Sequence, residues 1–351
     1  MTESEWVRMG YLNNLIEADA EDVPTFTEAY RAWFNYKRGQ IRPQSLDRIE
    51  GTWNRYYRDT AFAGGKLSSL DEGAVTDFIN AIFASCGSMT LKEYRKVYQI
   101  VNNVLDYAVD FGMPGARLLN WRKVKGYAYT NHIVSTRKDT AGIRDSDIAQ
   151  LLDFVLSGGY YRKQSACLLL LANFYMGLRV GELAALTWHD IDFGGKRLYV
   201  SKTETKSYCR DDEGNRTHMR LEVSEPKTAG SVRTVPLCDK AVAMLRLVRQ
   251  HHEGMGYGTE RLLYDGADIE GIRSLERTVG RLCVLADVLS FSTHMIRKTV
   301  ATKMHYAGLP SRMIADMLGH VDISTTERCY ILTDKEYVSA MSHTLNDVFN
   351  Y

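Results

Sequence analysis

Six side chains in the second half of the sequence, arranged in four short patterns, are of types that handle phosphate. They are two arginines, a lysine, two histidines and a tyrosine: Arg179, Lys227, His294, Arg297, His320 and Tyr330. Arginines bind and neutralise the non-bridging oxygens of a phosphate. A lysine or a histidine can move protons at the bridging oxygens, and a tyrosine hydroxyl can attack phosphorus to form a covalent phosphoester. The set therefore predicts phosphoryl transfer that uses neither a metal ion nor another cofactor.

Two of the four patterns place an arginine on a helix beside a second polar residue. In G-L-R-V-G-E-L (177–183), Glu182 follows Arg179 by three residues, which is also the spacing of an ordinary surface ion pair. The glycines of this pattern permit close approach of a backbone or a phosphate. His294 and Arg297 share a helix face near a predicted N-terminus, but such a pair is common by chance. Neither pattern would establish a site by itself.

The other two patterns supply the proton donor and the nucleophile. Lys227 lies in P-K-T-A-G-S-V-R (226–233), at the predicted tip of a hairpin, where a lysine is usually only solvated. Lys202 and Lys206 lie in the same hairpin region, so each is an alternative to Lys227. Tyr330 follows the L-G-H of His320 on the next predicted helix, where a tyrosine is ordinarily core packing. A purely structural role would explain each pattern by itself. The four patterns together favour phosphoryl-transfer chemistry.

In the order Arg, Lys, His-x-x-Arg, His, Tyr, these motifs resemble the tyrosine recombinase (phage integrase) family. Four motif sequences are similar to those of integrases of conjugative transposons and temperate phages. They are G-L-R-x-G-E-L, P-K-T-x-x-S-x-R-x-x-P-L, L-G-H and the ending T-T-x-x-x-Y. The resemblance implies a site-specific DNA recombinase that breaks and rejoins strands through a 3′-phosphotyrosyl intermediate, without metal or ATP. Such an enzyme integrates or excises a mobile element.

The resemblance also implies a role for each matching residue. Arg179 and Arg297 would clamp the scissile phosphate, and Lys227 would protonate the leaving 5′ oxygen. His294 and His320 would hydrogen-bond the phosphate, with His294 a candidate proton acceptor. Tyr330 would be the nucleophile, and Glu182 would support the arginine and histidine groups.

Three other functions are compatible with parts of the sequence. A type IB topoisomerase would share the chemistry and act as a monomer, but the L-G-H box and an amphipathic helix after Tyr330 weigh against it. A non-catalytic DNA-binding regulator with the same fold would have lost at least one of the matching residues, and none is missing. A metal-dependent nuclease would need a cluster of carboxylates that the sequence does not offer.

The pattern of apolar residues predicts a mostly α-helical protein with a mixed α+β second part that contains a small antiparallel sheet. A polar stretch over 202–217 predicts a long hairpin loop. By resemblance, the parts are an acidic segment (1–23), a helical core-binding domain (24–118), a basic linker (119–140) and a catalytic domain with a C-terminal helix (141–351). Many integrases carry an arm-binding domain ahead of these parts. The 23 residues here are too few for one, so either this member has no such domain or the sequence is cut short, and arm-site binding is left open.

Basic and polar residues at helix starts and in the linker are candidate DNA contacts, although a solvated face has the same composition. They are Arg42, Gln44, Ser45, Arg48, Lys92, Arg95, Lys96, Arg122, Lys123, Lys125, Arg137 and Lys138. The implied partner is duplex DNA, bound by a homotetramer, with an excisionase or another DNA-bending protein as an accessory. The helix after Tyr330 would dock either on a neighbouring protomer or on its own domain.

Composition sets the remaining bounds. Of the 351 residues, 45% are hydrophobic and 25% charged, which is typical of a soluble globular protein. The sequence begins with acidic residues rather than with a signal peptide and contains no long apolar stretch, so we expect a cytoplasmic protein without membrane contact. Its six cysteines include no C-x-x-C pair and predict free, mostly buried thiols.

Overall fold

The computed structural model describes residues 23–124, 132–134, 142–225, 231–266, 271–320, 322–324 and 327. These residues divide into two compact units. The first unit contains the described residues up to 134 together with Ser207–Arg220, and the second contains those of 142–206 and those from Leu221 onward. Within the described part of the chain, no helix is both long and apolar enough to cross a lipid bilayer.

Four helices form most of the first unit, in agreement with its predicted helical character. They are α1 (Phe26–Arg38), α2 (Pro43–Tyr56), α3 (Glu72–Cys86) and α4 (Leu91–Asp110). Thr25 begins α1 in a capping box with Glu28, and Thr90 caps α4 by accepting from the Glu93 amide. A short parallel pair, β1 (Met89–Thr90) and β2 (Ile133–Val134), adjoins α4.

The core of the first unit is rich in stacked aromatic rings. The rings of Tyr30 and Trp53 lie 3.6 Å apart at their centroids, and those of Trp53 and Tyr57 lie 5.1 Å apart, both nearly parallel. Phe26 is fully buried against the same group. Aromatic rings bury a large apolar area per residue, which helps to stabilise a small bundle.

The polar stretch at 202–217 is not a loop, and the sequence prediction there is wrong. It forms β5 (Thr203–Arg210) and the first two residues of β6 (Arg216–Ser224), and the two strands pair with each other. The residues on the buried side of β5 are polar, so hydropathy shows no alternation. Glu204, for example, is buried against Arg261, to which its carboxylate is ion-paired.

Ion pairs fasten the outer part of this hairpin, Ser207–Arg220, to α2 within the first unit. The Arg210 side chain is 7% exposed, and its Nη2 lies 2.6 Å from both Asp47 Oδ1 and Glu50 Oε2. Arg216 Nε lies 2.7 Å from Glu50 Oε2. The Tyr208 amide also donates to Asp47 Oδ2. The two carboxylates of α2 are thus neutralised by residues more than 150 positions away in the sequence.

Seven helices form most of the second unit. They are α5 (Asp145–Leu156), α6 (Gln164–Met176), α7 (Val180–Ala185), α8 (Asp239–Met255), α9 (Ile272–Leu285), α10 (Thr293–Tyr306) and α11 (Ser311–Leu318). Nearly every side chain of α6 is buried, because α5, α8, α9 and α10 pack around it. A helix that is apolar on all sides must be enclosed in this way.

A three-stranded antiparallel sheet completes the second unit. Its order is β3 (Ile191–Asp192), β4 (Arg197–Val200) and β7 (Arg233–Pro236). Leu198 of β4 lies opposite Val235 of β7, and both are fully buried. The predicted small antiparallel sheet in a mostly helical protein is confirmed.

The cysteine prediction is correct only in part. The five cysteines in the described residues are free, but only Cys167 and Cys283 are buried. Cys86 and Cys238 are exposed, and Cys209 is intermediate. Hydropathy alone does not decide the burial of a side chain this small.

Replacement of Arg210 by methionine tests the contribution of the hairpin ion pairs. R210M removes the cation shared by Asp47 and Glu50 while keeping much of the apolar stem. Loss of one partner of a buried ion pair strongly destabilises a protein. We expect R210M to lower the unfolding free energy by about 3 kcal/mol, the lower end of the usual range, because Arg216 still contacts Glu50. Urea unfolding, followed by tryptophan fluorescence to which buried Trp33 and Trp53 contribute, measures the loss.

The matched control is R31M, because Arg31 is an exposed arginine on α1. We expect it to change the unfolding free energy by less than about 0.5 kcal/mol. Equal stability of R210M and R31M would show that the hairpin ion pairs contribute nothing.

Candidate active site

The turn between α6 and α7 holds Arg179 at a fixed place on the surface of the second unit. The buried Asn173 side chain binds both backbone groups of Leu178: its Oδ1 accepts from the amide at 2.7 Å and its Nδ2 donates to the carbonyl at 3.1 Å. The Arg179 amide donates to Glu182 Oε2 at 2.9 Å, which caps α7. The backbone on both sides of Arg179 is therefore constrained.

The glycines of this turn contact protein and not open space. A Cβ at Gly177, whose φ is +66°, would lie 2.7 Å from Leu318 Cδ2. A Cβ at Gly181 would lie 2.6 Å from the Glu204 carbonyl oxygen. The sequence allowed either a backbone or a phosphate to approach these glycines. At Gly181 another backbone approaches closely, and at Gly177 packed helices leave no room for a phosphate.

Helix α10 carries His294 and Arg297. Ser292 caps the helix by accepting from the Met295 amide. Arg297 is only 3% exposed, and its Nη1 donates to the Gly177 carbonyl at 3.0 Å. The second arginine of the predicted clamp is thereby joined to the turn that holds the first.

The C-terminal end of α11 accepts hydrogen bonds from three different arginines. Three consecutive carbonyl oxygens take one guanidinium N–H each: Met317 from Arg233 at 2.7 Å, Leu318 from Arg297 at 2.5 Å and Gly319 from Arg179 at 2.7 Å. These carbonyls have no partner within the helix, and the helix dipole places partial negative charge on them. The helix end thus gathers three cations.

A buried carboxylate neutralises part of this charge. Glu182 is 2% exposed; its Oε1 accepts from Arg179 Nη1 at 2.8 Å, and both its oxygens accept from Arg233, at 2.8 and 3.0 Å. The predicted contact between Arg179 and Glu182 is present, but it is not a surface ion pair. Arg233 was missed by sequence reasoning, although it stands within the P-K-T-A-G-S-V-R pattern.

Burial and the surrounding arginines shift the pKa values of this cluster. Burial alone would raise the pKa of the Glu182 carboxyl, but hydrogen bonds from Arg233 and Arg179 outweigh it and hold the pKa below its usual value. Burial, followed by the charges of Arg297 and Arg179, lowers the pKa of His320 to about 4. Burial and Arg297 also lower the pKa of His294. Both imidazoles are therefore neutral near pH 7 in the free protein.

The structure brings together five of the seven predicted site residues: Arg179, Glu182, His294, Arg297 and His320. Lys227 and Tyr330 lie outside the described residues and stay predictions. Lys202, an alternative to Lys227, has its Nζ 2.9 Å from Asp190 Oδ2 and donates to Thr187. Over the described ranges, no three His, Cys, Asp or Glu side chains are grouped so that they could hold a metal ion.

The candidate DNA contacts of the first unit are mostly at its surface. Exposed side chains are Arg42, Arg48, Lys92, Arg95, Arg122 and Lys123; Gln44, Ser45 and Lys96 are partly buried. Lys96 Nζ lies 2.6 Å from Glu93, so part of its charge is already neutralised. Lys125, Arg137 and Lys138 lie outside the described residues. The role of all these candidate residues in DNA binding stays a prediction.

Comparison with known proteins is consistent with this arrangement. The chain is 28% identical to a tyrosine recombinase XerC-like protein of Caldanaerobacter subterraneus, over 99% of this chain and 90% of that protein. It is 24% identical to the prophage ps2 probable integrase of Lactococcus lactis, over 95% and 85%. Both alignments extend well beyond the site.

Two solved structures share the fold. The Tn1549 transposon integrase in complex with a circular intermediate DNA has a TM-score of 0.69 at 17% identity, covering 92% of this chain and 99% of that one. A lambda integrase tetramer bound to a Holliday junction has a TM-score of 0.59 at 15% identity, covering 91% and 80%. Residues 142–336, more than half of the sequence, match the phage integrase family, and the chain belongs to that family.

Proposed function

We propose that this protein is a site-specific DNA recombinase of the tyrosine type that integrates or excises a mobile element. The observation that carries the proposal is that Arg179 and Arg297 converge on the end of α11 beside His320, whose pKa is also lowered by His294. The relatives named as recombinase and integrase support the activity. The solved integrases in complex with DNA support duplex DNA as the partner.

The arginines would hold the scissile phosphate in the orientation needed for attack. The Arg179 side chain is 41% exposed, and its contacts with Glu182 and Gly319 use two of its five N–H donors. A phosphate can therefore bind it without breaking the network. Donors that are already fixed stabilise developing charge at little reorganisation cost.

In the covalent step, Tyr330 Oη would attack phosphorus while the bond to the 5′ oxygen breaks. Lys227 would give its proton to that oxygen, and His294 would accept the tyrosine proton. The product is a 3′-phosphotyrosyl ester and a free 5′ hydroxyl, so atoms and charges balance. Because the ester keeps the energy of the phosphodiester bond, a 5′ hydroxyl of another strand can reverse the step without ATP.

Recombination joins two duplexes, so the proposal includes a homotetramer on DNA. The tetrameric lambda integrase supports it. An excisionase or another DNA-bending protein would serve as an accessory, and the exposed basic residues of the first unit would contact the phosphate backbone. The helix predicted after Tyr330 would then link protomers or cover its own domain.

Covalent trapping on nicked duplexes that carry the element ends tests the nucleophile. We expect the wild-type protein to form a covalent DNA adduct in the presence of EDTA, and Y330F to form none, because phenylalanine has no attacking oxygen. We expect R179K to slow adduct formation about 100-fold, since lysine keeps the charge but loses the two-pronged contact. Gel separation of denatured samples measures the adduct.

The matched control is R246K, which alters an exposed arginine on α8 and should leave the rate unchanged. An adduct formed by Y330F would show that the nucleophile is another residue. DNA binding without any adduct would favour the regulator function. An EDTA-sensitive adduct would contradict a metal-independent reaction.

The lowered pKa of His320 predicts how stability depends on pH. Between about pH 7 and about pH 5 the unfolded chain takes up a proton near the usual histidine pKa, whereas the folded His320 does so only near 4. The unfolding free energy should therefore fall as the pH is lowered. Urea unfolding at the two pH values measures the loss, and H320Q should lose less than the wild type.

The control is H189Q, because the His189 side chain is 80% exposed. It should retain the pH dependence of the wild type. An H320Q protein with an unchanged pH dependence would mean that His320 is not held neutral by its surroundings.

A further inference from the structure

Arg233 has the contacts of a residue that organises the site without touching the substrate. Its side chain is 6% exposed. Its Nε donates to the Met317 carbonyl, Nη1 to Glu182 Oε1 and the Ser231 carbonyl, and Nη2 to Glu182 Oε2. Four of its five N–H donors are therefore directed at protein oxygens. By contrast, the Arg179 side chain is 41% exposed.

Arg233 holds one of the two groups that orient Arg179 and a carbonyl close to the other. Arg179 binds the Glu182 carboxylate at 2.8 Å and the Gly319 carbonyl at 2.7 Å. Arg233 holds that carboxylate through both oxygens and also holds the carbonyl two residues before Gly319. A Cβ at Gly319 would lie 2.9 Å from Arg233 Nη1, so the turn is packed directly on the guanidinium.

We propose that Arg233 is a positioning residue for the phosphate site: it fixes Arg179 and the His320 turn through Glu182 and the end of α11. The inference rests on the proposed function, since it assigns Arg179 to the phosphate. Of the two arginines that contact the buried Glu182 carboxylate above, loss of Arg233 leaves Arg179. Arg179 would then turn inward to neutralise it, away from the phosphate.

Lysine should not replace Arg233. A single ammonium keeps the charge but lacks the planar fork that binds both oxygens of Glu182 while reaching the Met317 carbonyl. R233K should therefore resemble R233M. Removal of the charge of Glu182 in the same chain should cancel much of the defect, because E182Q abolishes the buried charge that draws Arg179 inward.

The experiment compares wild type, R233M, R233K, E182Q, the double variant R233M/E182Q and R197M. Arg197 is an exposed arginine on the neighbouring strand β4, and R197M is the matched control. Adduct formation is measured at saturating DNA, together with the DNA dissociation constant. Backbone hydrogen exchange is measured on the free protein by mass spectrometry, on peptides covering 178–183, 317–320 and α8.

We expect R233M and R233K to slow adduct formation about 100-fold at saturating DNA, with a dissociation constant near that of the wild type, because a misplacement of about 1 Å has an effect of this size. Exchange should accelerate at 178–183 and 317–320 and stay unchanged in α8. The double variant should form the adduct faster than R233M, because the buried charge that draws Arg179 inward is gone. R197M should match the wild type in every measurement.

Two outcomes would overturn the inference. Behaviour of R233M like that of R197M would show that Arg233 positions nothing, and equal acceleration of exchange at all three peptides would show that it acts only on general stability. If the wild type forms no adduct, the proposed function fails. The exchange measurement then still decides whether Arg233 fixes the two segments.

Discussion

The site depends on the way in which one buried carboxylate and one helix end hold three arginines close together. Three guanidinium cations repel one another, and each loses hydration on burial. Glu182 supplies one full negative charge, and the carbonyls at the end of α11 supply the partial charge of a helix C-terminus. These groups compensate the arginines only in part, so the site keeps a positive potential. A phosphate would supply the missing negative charge.

The state of the histidines follows from burial and from that residual potential. Burial, together with the nearby charges of Arg297, Arg179 and Arg233, lowers the pKa of His320 to about 4. A histidine with an ordinary pKa would be partly protonated near neutral pH, and its protonated fraction would add a fourth positive charge. The charges that attract a phosphate therefore also help to keep the imidazoles neutral in the free protein.

The sequence was sufficient for residues whose signal is local. The spacing of Arg179 and Glu182 describes a contact within one turn of helix, and that contact is present. The family resemblance added the convergence of distant motifs. It could not supply the role of Arg233, nor the strand character of 203–210. The ion-pair partners of Arg233, Glu204 and Arg210 lie tens of residues away or more in the sequence. The local spacing of apolar residues contains no information about such distant partners.

Arg179 and Arg233 have the same chemistry, and burial separates their roles. Arg179 stands at the surface with part of its fork directed at protein, so it can bind a substrate and keep its orientation. Arg233 directs nearly all its donors inward and gives its binding capacity to Glu182 and α11. Had both been exposed, either could rotate to pair with Glu182, and the orientation of the phosphate-binding fork would be averaged over two arrangements. One arginine confined to the interior leaves a single arrangement for the other, which is the condition for a precisely oriented phosphate.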